Sequence, residues 1–162
     1  MSKTILLAVD AARHVPESHV SAAVAMTREL SRDTGDQVIV VHVHEFAVGR
    51  FGRLQVDCAE GQGESLVAEI VADLRSSGIT ADGTVREADF GHVSRKILAV
   101  ADEYDARMIV LGSSGRTDMP HMPFGSVSHR LMHLAARPVL IVPRQATITG
   151  TAGQARDRKS VV

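Results

Sequence analysis

Residues 107–143 read RMIVLGSSGRTDMPHMPFGSVSHRLMHLAARPVLIVP. The stretch opens on an apolar run, Arg107 to Leu111, without polar alternation, which is how a strand covered on both faces reads. Gly112 follows, Gly115 comes after two more residues, and Gly125 and Ser126 come after a further nine. Val127, Leu131, Leu134 and Ala135 then repeat at helical spacing, and Pro138 to Val142 is a second apolar run closed by Pro143. A strand, a glycine-bearing loop, a helix and a strand make a parallel crossover unit.

The same grammar repeats toward the N-terminus. Ile5 to Val9 is a short buried strand, and about Ser18 to Arg32 is a helix stopped by Gly35 and Asp36. Val38 to Val43 is a second strand. Gly49 to Gly63 reads as a mobile glycine-bearing connection. Leu66, Val67, Ile70, Val71 and Leu74 mark a helix that Gly78 terminates. Ile79 to Glu87 is more polar, as suits an edge strand, and Val93, Ile97, Val100 and Ala101 mark the next helix. Strands alternating with helices predict an α/β fold, a three-layer α/β/α sandwich around a mostly parallel sheet. Residues 1–144 form one domain on this reading. The tail, 145–162, has no apolar period and reads as disordered.

Composition narrows the function. Of the 162 residues 44% are hydrophobic but only 3% aromatic, so the core must be aliphatic. The net charge of -1 leaves no basic excess for a nucleic-acid backbone, and aromatic platforms for single strands are scarce. The lone Cys58 fits a reducing compartment. The apolar run near the N-terminus is too short for a membrane span or a signal peptide, so the expected location is cytoplasmic, with no membrane partner.

The glycine-bearing loop carries the chemistry. Ligands of open α/β sheets bind outside the carboxyl ends of strands. Glycine lets main-chain N–H groups approach an anion closely, serine hydroxyls add donors, and a helix beginning near Ser126 offers free N–H groups and a positive dipole end. Arg116 adds compensating charge. Gly112, Ser113, Gly115, Arg116, Gly125 and Ser126 are therefore candidate phosphate-binding residues.

Other constellations are weaker. His129 and His133 share a helix face and His42 and His44 share a strand face, but neither pair has a cysteine or a metalloprotease glutamate beside it, so no metal site is expected. There is no Gly-x-Ser-x-Gly elbow, no P-loop lysine and no Gly-x-Gly-x-x-Gly fingerprint. Cys58 reads as an unreactive thiol.

The Gly-two-Gly-nine-Gly-Ser spacing, with its following helix and Pro-Val-Leu-Ile-Val strand, resembles the ATP-binding subgroup of the universal stress protein family. So do Ile5 to Asp10 and Val40 to Val43. The resemblance runs from Thr4 to about Arg144. It implies a five-stranded parallel sheet of order 3-2-1-4-5, adenine nucleotide α-hydrolase-like. It also implies that Asp10 lies near adenine and ribose, that the Val43 backbone meets adenine, and that Ala8 and Val127 line the pocket. Asp10 is followed by Ala11 and Ala12, where many family members carry a hydroxyl residue.

The expected function is thus a stress-response regulatory protein that binds ATP or another adenine nucleotide with Mg2+, with at most slow hydrolysis or autophosphorylation. The alternative is a dimeric protein-interaction module with a vestigial pocket. The uncharged last strand, Val139–Val142, would be an aggregation-prone edge, which pairing with a second copy removes, so a homodimer is expected.

Overall fold

The structure, a computed structural model, describes residues 2–11, 18–113 and 124–143. Its elements in chain order are β1 (Thr4–Val9), α1 (Ser18–Thr34), β2 (Gln37–Gly49), β3 (Gly52–Gln55), α2 (Gln62–Ser76), β4 (Ala81–Asp89), α3 (Val93–Glu103), β5 (Ala106–Gly112), α4 (Ser126–Leu134) and β6 (Val139–Val142). The parallel strands lie in the order β4-β2-β1-β5-β6, which is 3-2-1-4-5 when only these strands are numbered.

Side-chain alternation splits the core into two layers. Ile5, Leu7, Val38 and Val40 face α1 and α2, where they meet Val24, Val67, Ile70 and Leu74. Leu6, Ile39, Val41, Val43, Ile109 and Leu111 face α3 and α4, where they meet Ile97, Val100, Ala101 and Leu131. Strands flanked on both faces by helices need apolar residues at every position, which explains the unbroken aliphatic runs.

The helix boundaries follow local chemistry. Gly78 has φ +81, the left-handed conformation that glycine adopts without strain. Its N–H donates to the Arg75 carbonyl, and the Ile79 N–H donates back to Leu74. This is a Schellman stop, and the buried Leu74 and Ile79 supply its apolar contact. At the amino end of the sheet Asp36 accepts from the Lys3 N–H at 2.8 Å and pairs with Arg107 at 2.5 Å. Burial raises its pKa, but the Lys3 amide, the Thr34 hydroxyl and Arg107 together outweigh that and hold it below the usual carboxylate value.

One expectation is corrected. The stretch Gly49 to Gly63 is not a plain connection. β2 runs on to Gly49, past the expected end at Val43, and turns back as β3, with Phe46 paired to Gln55 and Gly49 to Gly52. Phe46 also pairs with Asp89 of β4, so β3 and β4 lie on opposite sides of β2. β3 therefore lies on β1's side, beyond the point where β1 stops. The predicted tail, 145–162, falls outside the described residues.

Candidate functional site

β1 is the strand at which the winding order reverses, with β2 on one side and β5 on the other. A crevice opens at the carboxyl ends of such neighbours. Asp10 stands exposed just past β1, and Gly112 closes β5 opposite Val142 of β6. Ala8 is level with Leu111 on one side and Val41 on the other.

The helix between two parallel strands must run back against them. The N-terminus of α4 therefore lies at the carboxyl edge of the sheet. Gly125 is its N-cap, extended at φ -67 and ψ 165, and the first helical bond runs from the His129 N–H to the Gly125 carbonyl at 2.9 Å. The amides before His129 are left for other acceptors, and the first turn carries no acidic residue to repel an anion. Ser126 is the first helical residue and is exposed.

Ala8, Val43 and Val127 all border the same α3/α4-side core layer. The fold therefore brings together Ala8, Val43 and Val127 on one face, with Asp10, Gly112, Ser113, Gly125 and Ser126 at its carboxyl edge. The Ser113 N–H donates to the Val142 carbonyl at 2.8 Å, so the sheet ladder uses that amide. Gly115 and Arg116 lie outside the described residues, as does most of the nine-residue spacer. A separate cleft of about 620 Å³ lies along the β4 edge, lined by Arg53, Glu87, Asp89, His92 and Lys96 among others. It mixes both charge signs, and Arg53 already pairs with Glu87 at 2.5 Å.

The opposite face of the same edge holds a second grouping. His42 and His44 continue the Val38–Val40 side of β2 and are both buried. The turn after β3 brings Asp57 and Cys58 against them. No cysteine adjoins this pair along the sequence, but in space Cys58 and Asp57 both do, which corrects the expectation of no metal-ligating set here. Burial raises the Asp57 pKa, but its close contacts with His44, Cys58 and His42 reverse this and take it to about 2. The Cys58 thiol is pushed up to about 11 by burial and by the Asp57 charge. His129 and His133 do stack edge to face on α4, at 4.6 Å between ring centres, without forming such a grouping among the described residues.

No helix among the described residues is long and apolar enough to cross a membrane. The sequence profile of the universal stress protein family matches residues 1–143. A comparison with curated proteins found no match. Among solved structures, the universal stress protein from Archaeoglobus fulgidus in complex with dAMP is similar, with TM-score 0.63 and 22% identity, covering 86% of this chain and 97% of that one. A universal stress family protein from Arabidopsis thaliana with AMP bound gives TM-score 0.65 at 17% identity, covering 93% and 97%. A universal stress protein in complex with cAMP gives 0.62 at 17% identity, covering 88% and 98%. At these identities the likeness shows a shared fold.

Proposed function

Because this chain belongs to the universal stress protein family, we propose that its carboxyl-edge crevice binds an adenine nucleotide, ATP with Mg2+ on its phosphates. The observation that carries this reading is the acid-free N-terminus of α4. The topology brings it to the strand-reversal crevice, on the face shared by Ala8 and Val43. Asp10 addresses the ribose and adenine, and the Val43 backbone meets the base. Gly112, Gly115, Gly125 and Ser126 receive the phosphates, with Arg116 balancing their charge. Ser113 contributes through its hydroxyl, since its amide is taken. That several solved relatives are described with AMP, dAMP or cAMP bound supports the nucleotide class.

The role is regulatory and stress-related. The site offers no P-loop lysine, so any hydrolysis or autophosphorylation is slow. The cytoplasm is the expected compartment, on the evidence of the lone cysteine. Calorimetric titration with ATP, ADP, AMP and cyclic AMP tests the reading. Saturable one-to-one binding, weakened at least tenfold in Gly115→Val, is expected. No heat with any adenine nucleotide leaves the interaction module with a vestigial pocket.

We further propose a homodimer through β6. This strand pairs only with β5 among the described residues. The Pro138 and Val142 carbonyls accept from β5, so by alternation Val139 and Ile141 turn their N–H and C=O groups outward. Light scattering should give twice the chain mass at micromolar concentration, and Ile141→Pro, which removes an outward N–H, should give a monomer. A wild-type monomer refutes the dimer.

A further inference from the structure

Four side chains from two segments aim one donor atom each at a common point beneath the β2–β3 hairpin. They are His42 Nε2, His44 Nδ1, Asp57 Oδ2 and Cys58 Sγ, all within 4.8 Å of one another. Asp57 Oδ2 is 3.0 Å from each imidazole nitrogen and 3.3 Å from the sulfur. The sulfur is 3.8 Å from each of the two nitrogens. A tetrahedral zinc ion with nitrogen and oxygen ligands near 2.0–2.1 Å and one sulfur near 2.3 Å has edges of roughly 3.3–3.6 Å. Five of the six donor separations, 3.0 to 3.8 Å, bracket those edges, and the two imidazole nitrogens, within 4.8 Å of each other, draw in by about an ångström to close the sixth.

Proton counting points the same way. His42 Nδ1 lies 3.0 Å from the Val9 carbonyl, which can only accept, and 3.4 Å from the Ala11 N–H, so the shorter contact favours a proton on that nitrogen. His44 Nε2 lies 3.1 Å from the Glu64 carboxylate and carries one too. A neutral imidazole has no second proton. The inward nitrogens then present lone pairs to Asp57 Oδ2, acceptor against acceptor. A cation at the centre removes that conflict. Asp57 is itself buried, and its Oδ1 has no hydrogen-bond partner among the described residues.

The outer contacts are those that orient metal ligands. The Val9 carbonyl and the Glu64 carboxylate fix the tautomer and ring plane of the two histidines. Gln55 Nε2 lies 2.9 Å from His44 Nδ1 and 3.1 Å from the Cys58 carbonyl, so it keeps a bond when a cation takes the imidazole. Gly63 packs so close that a Cβ there would fall 2.3 Å from His42 Cδ2.

We propose that His42, His44, Asp57 and Cys58 form a closed tetrahedral site for a zinc-class divalent cation that fastens the hairpin to the sheet. One thiolate and two imidazoles select this class over Mg2+ or Ca2+, and four protein ligands leave no open position, so the site is structural and not catalytic. It lies across the sheet from the nucleotide crevice and does not depend on it.

The test uses the full chain, stripped with a chelator and titrated with Co2+. A thiolate-to-cobalt charge-transfer band and intense tetrahedral visible bands are expected, both bleached by one equivalent of Zn2+. Cys58→Ser should lose the charge-transfer band and weaken Zn2+ binding at least tenfold. Glu64→Gln, at an exposed position, should keep the band and bind about 10–100-fold more weakly. Absence of the band in the wild type, or its survival in Cys58→Ser, overturns the site. Should Cys58→Ser fail to fold by circular dichroism, Glu64→Gln decides: unchanged affinity overturns the proposal and weakened affinity upholds it.

Discussion

Leu6→Ala is expected to lower the unfolding free energy by about 2–5 kcal/mol, the range for removing a large buried aliphatic side chain from a packed core. Leu6 has no exposed surface. It lies on the central strand, paired to Ile39 of β2 and Ile109 of β5, so the backbone around it is held on both sides. Its face packs against α3 and α4 through Ile97, Val100 and Leu131. A site gripped on both edges collapses poorly, so the cavity left behind adds to the lost transfer free energy. Urea unfolding should show a lower midpoint with an unchanged slope. A loss below about 1 kcal/mol would mean that the strand order places Leu6 wrongly, since surface changes fall in that range.

Gly63→Ala should also destabilise, by about 1–3 kcal/mol, although alanine is the better helix former. Two effects oppose each other. Helix propensity favours alanine by roughly 1 kcal/mol in a helix interior. Against that, the new methyl would sit 2.3 Å from His42 Cδ2 and 2.7 Å from His44 Cε1. Neither ring is a loose end. His42 is held by Val9 and Asp57, and His44 by Asp57 and Glu64. Overpacking therefore wins and sets the sign. Denaturant titration reads it directly, and a more stable Gly63→Ala would show that α2 sits farther from β2.

The sheet was readable because its strands are covered on both faces. Ile5 to Val9, Val38 to Val41 and Val139 to Val142 are runs of aliphatic residues that few other structures require. The carboxyl end of β2 was not readable for the converse reason. His42, His44 and Glu45 interrupt the apolar run before the strand ends, and Gly52–Gln55 is too short to show a period. The candidate residues at the carboxyl-edge crevice were legible because Gly112, Gly125 and Ser126 lie within fifteen residues of sequence between one strand and the next helix. The imidazole cluster was not, because Asp57 and Cys58 reach it only through the β2–β3 turn. The clue was the His42-Val43-His44 alternation on a buried strand, which asks what two imidazoles on one face could be bonded to.

That alternation has a thermodynamic consequence. Val43 points into the layer bordering the crevice, while its neighbours on either side point into the cluster, so a few residues of β2 serve both pockets. Were both proposed sites to fill, each ligand would act on the same stretch of β2 backbone. Linkage then demands reciprocity: by whatever factor a bound cation alters nucleotide affinity, a bound nucleotide must alter cation affinity by that same factor.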